Sequence, residues 1–270
     1  MSLISSKSFQ LIILFLMISI PEINGQTFNN VGDLVGFSEL EDNMAVSVAD
    51  FNGDNVLDVF VVGRGLDEQG TPHTYSRLFK NNNNGSFTDV TLTAGLFGLY
   101  SQSDYDKENA TTDYVGYKFG ASWGDINNDG YPDLFLTNAY RIQLFKNNGN
   151  GTFSDITLSA GFPEINDCKN TTATWFDYNN DGFLDVYITD FKSACGNRLY
   201  KNNGNSTFLN VTNSAGLSNE SKNSFMALPI DINKDGFMDL YVSNDYDQIN
   251  DLYINQNGSN FLEQSSSFGV

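Results

Sequence analysis

The chain has 270 residues and a formal net charge of −19, from 33 acidic and 14 basic residues. This length is enough for one large all-β domain or two small ones. Binding to the phosphates of a nucleic acid requires basic patches, so a chain this acidic is not expected to have a nucleic-acid partner.

The first 26 residues, 1–26, are predicted to be a secretory signal peptide. Lys7 supplies the positive start, Leu11 to Ile20 form a ten-residue apolar run, and Gly25 is a small residue suited to cleavage. That run is too short to span a bilayer, and the alternative is an uncleaved anchor. No later stretch approaches the roughly 18 apolar residues of a transmembrane helix. We therefore expect a secreted or extracellular-surface protein without membrane insertion.

A nine-residue acidic loop occurs four times in the rest of the chain. Every copy has Asp at loop positions 1, 5 and 9 and Asn at position 3. Three copies have Gly at position 6 and the first has Asn55, and both residue types tolerate the positive φ of a sharp turn. The copies are DFNGDNVLD at 50–58, DINNDGYPD at 125–133, DYNNDGFLD at 177–185 and DINKDGFMD at 231–239.

Such a loop directs several oxygens at one centre, and calcium takes about six to eight oxygen ligands. An Asx-rich turn without a metal would explain a single copy, but four copies that keep every Asp and Asn argue against it. An EF-hand would need Glu at position 12, where the chain has Val61, Leu136, Ile188 and Val242. We therefore predict about four calcium ions. The predicted ligands are the side chains at positions 1, 3, 5 and 9 and the backbone carbonyl at position 7: Asp50, Asn52, Asp54, Val56 and Asp58; Asp125, Asn127, Asp129, Tyr131 and Asp133; Asp177, Asn179, Asp181, Phe183 and Asp185; Asp231, Asn233, Asp235, Phe237 and Asp239.

A second motif repeats in register with the acidic loops. An F/Y-x-N sequence opens at Phe79, Phe145, Tyr200 and Tyr253, and a glycine follows each opening residue by 16 positions. In the second unit we predict short strands at 118–124, 134–137, 142–146 and 152–157, with the acidic loop between the first two. Four antiparallel strands per unit are typical of a propeller blade, so the predicted fold is an all-β propeller. The predicted blades are 38–97, 98–162, 163–217 and 218–270.

Residues 27–37 are predicted to be a surplus outer strand. Phe28 and Gly36 are eight residues apart, as are Phe261 and Gly269 in the last unit, which already has a fourth strand of its own. A ring closes when a terminal strand completes the final blade, and here no blade lacks a strand. We therefore predict an open arc of four blades that forms part of a larger, seven-bladed ring. The alternative is a compact four-bladed ring.

The repeats resemble FG-GAP/VCBS repeats, the blades of the integrin α-subunit propeller. The resemblance is carried by FGASWGDINNDGYPDLFLTN at 119–138 and LFKNNGNGTFSDIT at 144–157, and it is greatest for cartilage acidic protein 1 and the ASPIC/UnbV group. It implies a calcium-bearing, usually seven-bladed propeller used outside the cell for adhesion or ligand binding. The loop Asp and Asn residues would then be the calcium ligands. The chain departs from this group in showing four blades and no following C-terminal domain.

The chain has two cysteines, Cys168 and Cys195. An oxidising compartment favours a disulfide between them, and two free thiols are the alternative. Cys168 precedes the first strand of the third unit and Cys195 joins its second and third strands. Both connections lie on the propeller face opposite the acidic loops, which also favours the disulfide.

Two long insertions, 65–76 and 98–116, are expected on the same face as the cysteines. They are rich in tyrosine and acidic residues, and functional residues concentrate on loops held by a rigid scaffold. Tyrosine offers a large contact area at low entropic cost, although variable solvated loops without a partner are equally compatible with the sequence. The candidate binding residues are Tyr75, Tyr100, Tyr105 and Tyr114.

These features favour a non-enzymatic extracellular module for adhesion or ligand binding, whose partner is a protein or a glycan. An enzyme acting on an extracellular polymer is the competing interpretation. His73 is the only histidine, no nucleophile motif accompanies it, and the loop Asp residues are assigned to calcium. A structural spacer in a larger surface protein is a third interpretation. An open arc would also expose apolar blade faces, so self-association is expected.

Overall fold

The computed structural model describes residues 30–37, 40, 43–63, 76–96, 118–138, 141–163, 168–191, 195–217, 222–245 and 248–269. In these ranges the protein consists of four sheets with short helical turns at either end. Blade one contains β1 (Asn43–Ala49), β2 (Asp58–Gly63), β3 (Arg77–Asn81) and β4 (Phe87–Asp89). Blade two contains β5 (Lys118–Gly124), β6 (Asp133–Asn138), β7 (Arg141–Asn147) and β8 (Phe153–Asp155).

Blade three contains β9 (Asn170–Phe176), β10 (Asp185–Asp190), β11 (Arg198–Asn202) and β12 (Phe208–Asn210). Blade four contains β13 (Ser224–Ile230), β14 (Asp239–Asn244), β15 (Asp251–Asn255) and β16 (Phe261–Glu263). The helical turns are α1 (Gly32–Val35) and α2 (Ser265–Phe268).

Each blade is an antiparallel meander whose strands pair in chain order. In blade two, Leu134 of β6 pairs with Trp123 of β5 on one side and with Phe145 of β7 on the other. The second strands of blades one, two and three are buried along their whole length, as expected for strands covered on both faces. The predicted all-β fold of four-stranded blades is therefore confirmed.

The hydrophobic core is divided into layers between consecutive blades. The first layer joins Phe60 and Leu78 of blade one to Leu134 and Phe145 of blade two. The next two layers join blade two to blade three and blade three to blade four in the same way. The fold is thus held by stacking of sheet on sheet.

The innermost strands lie side by side in the order β1, β5, β9 and β13. Within the part of the chain that the structure describes, no comparable packing joins β13 to β1. The four blades therefore form an open arc, as predicted, and not a compact four-bladed ring. Whether the arc belongs to a larger, seven-bladed ring stays a prediction.

The prediction of an outer strand over 27–37 is wrong for the part of this segment that the structure describes. Residues 27–29 lie outside the described residues, and the following segment contains the helical turn α1 at Gly32–Val35. The Asn30 side chain accepts a hydrogen bond from the Gly32 N–H at 3.0 Å, which starts a turn. Asp89, Asp155 and Asn210 start the same kind of turn after the fourth strands of the first three blades. The segment thus has the same form as the connections that follow the outer strands of these blades.

This connection packs against blade one. Gly36 has a φ of +104°, and a Cβ there would lie 2.6 Å from the Phe87 carbonyl oxygen. The Phe37 ring lies 4.8 Å from the ring of Phe79 and 4.6 Å from that of Phe87.

Among the described residues, no helix is long and apolar enough to cross a membrane.

Candidate metal-binding loops

The four acidic loops connect the first and second strands of the four blades, and they share one pattern of internal hydrogen bonds. In blade two, Asp125 at position 1 accepts the Asp129 N–H at 3.1 Å and the Gly130 N–H at 2.8 Å. Asn127 accepts the Asp129 N–H at 3.2 Å, and Asp129 accepts the Tyr131 N–H at 3.0 Å. The same four bonds recur in the loops of the other three blades. The repeated sequence therefore produces a repeated geometry.

The aspartate at position 9 is buried at the base of each loop, and it joins the loop to the third strand. One oxygen of Asp133 accepts the Ile126 N–H at 3.0 Å, and the other accepts the Asn147 N–H at 2.7 Å. Asp58, Asp185 and Asp239 make the equivalent pair of bonds. Position 9 thus fixes the loop relative to the sheet as well as contributing a carboxylate.

Burial raises the pKa of the Asp58, Asp133 and Asp185 carboxyls. The pKa is raised to about 6 for Asp58 and Asp133 and to about 7 for Asp185. The two backbone N–H donors oppose the shift, and the carboxylates at positions 1 and 5 add to it. Like charges so arranged disfavour one another unless a cation lies among them.

Two residues of each loop have positive φ, at positions 4 and 6. In blade two these are Asn128 at +58° and Gly130 at +88°. In blade one the residue types are exchanged, with Gly53 at +74° and Asn55 at +65°. The positive φ at position 6 was predicted from the sequence, and the one at position 4 was not. The glycine at position 4 of the first loop, Gly53, was the signal in the sequence that could have revealed it.

In blades two, three and four, the aromatic side chain at position 7 packs against the turn between the third and fourth strands. A Cβ on Gly149 would lie 3.1 Å from the Tyr131 ring, and one on Gly204 would lie 2.9 Å from the Phe183 ring. In blade four, Phe237 lies against Gly258 in the same way. The predicted metal ligand at this position is the backbone carbonyl, so the aromatic side chains have this separate packing role.

The donor set of each loop fits calcium. It offers three carboxylates, one amide oxygen and a backbone carbonyl, all of them hard oxygen ligands of the kind that calcium prefers. Lysine amines approach the acidic group in two loops. Lys80 lies 3.6 Å from Asp54, and Lys201 lies 3.3 Å from Asp181. A bound calcium ion would supply the positive charge that gathers these oxygens.

The predicted disulfide between Cys168 and Cys195 is present, with an S–S distance of 2.01 Å and a Cα–Cα distance of 5.4 Å. Asp190 is fully buried nearby, and the Arg198 guanidinium donates to the Cys168 sulfur at 3.1 Å. Because both sulfurs are oxidised, they do not provide the thiolates of a metal site.

The candidate binding residues Tyr75, Tyr100, Tyr105 and Tyr114 lie outside the described residues. The same holds for His73 and for the predicted signal peptide at 1–26.

The family model of the FG-GAP-like repeat matches the chain at residues 125–188 and again at residues 177–242. Each match begins at the first residue of an acidic loop and ends in the second strand of the following blade. The chain therefore contains two FG-GAP-like repeats. No curated protein matches the chain significantly.

Three solved structures resemble parts of the arc. An Agrocybe aegerita lectin that recognises non-reducing terminal N-acetylglucosamine is 20% identical with a TM-score of 0.45, over 82% of this chain and 51% of that chain. The V. cholerae biofilm matrix protein Bap1 is 15% identical with a TM-score of 0.42, over 80% of this chain and 27% of that chain. The Photorhabdus luminescens Tc holotoxin pore is 18% identical with a TM-score of 0.34, over 83% and 9%. The chain spans about half of the lectin chain and a smaller share of the other two.

Proposed function

We propose that this chain is a calcium-binding, non-catalytic extracellular β-propeller module for adhesion or ligand binding. The observation that carries the proposal is the repeated loop, in which the same donor atoms make the same hydrogen bonds in all four blades. The ligands would be the side chains at positions 1, 3, 5 and 9 and the carbonyl at position 7. Calcium would stabilise the loops between the first and second strands.

The crowding of carboxylates within the loops supports a bound cation. In the loops of blades one, two and three, the carboxylates at positions 1 and 5 lie close enough to raise the pKa at position 9. Without a cation this repulsion weakens the loop, and with calcium the same oxygens become ligands. Four occupied loops would therefore tie the first two strands of every blade together on one face of the arc.

Extracellular placement is supported by two findings. The disulfide joins Cys168 and Cys195, and disulfides persist in oxidising compartments. FG-GAP-like repeats are also usual in extracellular proteins, and the chain has two of them. Secretion through the signal at 1–26 is part of the proposal, as is a relationship to the cartilage acidic protein 1 and ASPIC/UnbV group.

The partner is proposed to be an extracellular protein or glycan, bound through the loops at 65–76 and 98–116, which together contain four tyrosines. The acidic balance of the chain supports a partner other than a nucleic acid. Self-association through exposed blade faces is a further part of the proposal.

Thermal unfolding with calcium, with magnesium and with excess chelator tests whether the protein binds calcium. We expect calcium, but not magnesium at the same concentration, to raise the Tm of the chelated protein. Extracellular modules bind calcium at roughly 10⁻⁴–10⁻³ M, so millimolar calcium should stabilise by up to about 1–2 kcal/mol per site. Asp129→Ala should reduce the number of bound ions by one. An unchanged Tm in chelator would refute calcium binding.

Binding to a panel of glycans and matrix proteins, with and without calcium, tests whether the chain is a binding module. The matched variant replaces residues 101–112 with a short Gly/Ser linker, and we expect it to keep the calcium-dependent Tm and lose the partner. Retained affinity in that variant would place the site elsewhere. Turnover of a polymer in the same panel would favour an enzyme, and the absence of any partner would favour a structural spacer.

A further inference from the structure

The acidic loops of blades two, three and four are joined directly by the asparagine at loop position 4. The side-chain amide of Asn128 in blade two donates to the Gly182 carbonyl in blade three at 2.9 Å. The side-chain amide of Asn180 in blade three donates to the Gly236 carbonyl in blade four at 3.0 Å. The two bonds are equivalent: in each, the asparagine at position 4 of one loop contacts the glycine at position 6 of the loop in the next blade.

The donor and the acceptor of each bridge lie among predicted ligands. Asn128 lies between Asn127 and Asp129, the ligands at positions 3 and 5 of its own loop. Gly182 follows Asp181, and its N–H donates to Asp177 at 2.8 Å. The bridge therefore forms in full only when both loops have their ordered geometry.

A second, buried bridge crosses the same boundaries. The Asn202 amide donates to the Ile126 carbonyl of the preceding loop at 2.8 Å, and the Asn202 N–H donates to Asp185 of its own loop at 2.8 Å. Asn147 and Asn255 make the same pair of contacts at the other two boundaries. Every boundary thus has the buried bridge.

The outer bridge is confined to two of the three boundaries. Position 4 of the first loop is Gly53, which has no side chain to donate. Among the described residues, the loops of blades one and two share the Asn147 bridge and a packing contact, in which a Cβ on Gly53 would lie 3.2 Å from the Tyr131 ring, whereas the later boundaries have both hydrogen-bonded bridges.

We propose that Asn128 and Asn180 couple the calcium loops of blades two, three and four, so that these three fill cooperatively and the loop of blade one is the least coupled. This inference rests on the proposed calcium function. Binding in one loop orders one half of each bridge, so the neighbouring loop loses less freedom when it binds. The coupling is reciprocal, and each loop raises the affinity of the other by the same factor.

Calcium titration of the full chain by calorimetry, with Asn128→Gly, Asn180→Gly and the double variant, tests the coupling. Glycine keeps the positive φ and removes the amide, as Gly53 already does in blade one. We expect the Hill coefficient to fall toward one, and the coupled loops to bind about two- to tenfold more weakly, the range expected for the loss of one hydrogen bond. Lys234→Gly at position 4 of blade four is the matched control, and its Hill coefficient should stay at the parent value.

Hydrogen exchange resolved by loop gives a second test that does not require the asparagine variants. Asp181→Asn disables the loop of blade three, and we expect calcium to protect the loops of blades two and four less, with a smaller change in blade one. Equal loss of protection in all loops, or none outside blade three, would overturn the coupling. Unchanged cooperativity in the double glycine variant would also overturn it. A parent chain that binds no calcium would instead refute the proposed function.

Discussion

The buried aspartate at position 9 has two roles that oppose each other in the absence of a cation. Asp133 accepts two backbone N–H groups and so holds the loop on the sheet, which favours its ionised form. Burial disfavours that form more strongly and raises the pKa to about 6. The residue is therefore poised to exchange a proton for a metal ion near neutral pH.

We predict that calcium affinity falls as the pH is lowered from 8 to 5.5. The pKa is raised from a usual value of 3.8 to about 6 in Asp58 and Asp133 and to about 7 in Asp185. The stability that these protonated carboxyls contribute to the metal-free fold is fully present below pH 3.8 and is lost as the pH rises through these values. Calcium binds the ionised form, so it competes with protons across this range.

Calorimetric titration in buffers of different ionisation enthalpy measures the protons that calcium releases. We expect release at pH 6 and little release at pH 8. Asp239→Asn is a useful comparison, because it removes the carboxylate at position 9 of the blade-four loop and leaves the other three loops intact. A calcium affinity that does not change with pH would contradict the role of position 9.

At the level of elements, the acidic loops are fastened to the neighbouring turns by close packing against glycine. Gly258, in the turn between β15 and β16, has a φ of +74°, and a Cβ there would lie 2.9 Å from the Asn179 Cα of blade three. Gly85, in the equivalent turn of blade one, has a φ of +82°, and no atom of the described residues lies within 4 Å of a Cβ placed there. Comparing the two glycines therefore distinguishes the cost of a positive φ from the cost of a close contact between blades.

We predict that Gly258→Ala destabilises the protein by about 2–4 kcal/mol and Gly85→Ala by about 1–2 kcal/mol. Both variants carry the cost of a positive φ, and the first also forces two blades apart. Urea unfolding in chelator measures the difference without the contribution of calcium. Equal losses in the two variants would show that the contact between Gly258 and Asn179 yields at little cost.

Much of the blade could be predicted from the sequence because its landmarks are local. The acidic loop and the F/Y-x-N motif fixed the register, and the strand predicted at 118–124 has the observed bounds. The prediction of a strand over 27–37 is wrong at the helical turn 32–35, because the same eight-residue spacing in a blade, as from Phe87 to Gly95, contains both a short strand and the turn after it. The bridges from Asn128 and Asn202 span 54 and 76 residues, so no local pattern reveals them.

At the scale of the whole molecule, each blade has a forward face, the face directed toward the next blade along the chain. In blades one, two and three this face is covered by the next blade. The second residue of the acidic loop is 2% exposed in blade one (Phe51), 0% in blade two (Ile126) and 6% in blade three (Tyr178). The equivalent Ile232 of blade four is 38% exposed, and Leu228 beside it on β13 is 51% exposed. A larger ring, as the sequence predicts, would cover this face in the manner of the other three.

We predict that the forward face of blade four, defined by Met226, Leu228, Ile230 and Ile232, promotes association with a second copy of the chain. Leu228→Glu should lower the fraction of associated protein, because a charge replaces buried apolar contact. Leu209→Glu is the matched control, since Leu209 is 58% exposed on the outer strand β12. Sedimentation velocity at several concentrations measures both. Association that survives Leu228→Glu would place the contact on another surface.

The disulfide encloses the third acidic loop, because the residues from Cys168 to Cys195 include β9, the loop at 177–185 and β10. A protease that cut this segment once would therefore leave its two products covalently joined. A cut in the acidic loop of any other blade would release separate fragments. After chelation and brief proteolysis, we expect a nicked species that runs as one band without reductant and as two bands with it. Cleavage sites that lie only outside Cys168 to Cys195 would show that the covalent ring keeps this loop closed to proteases even without calcium.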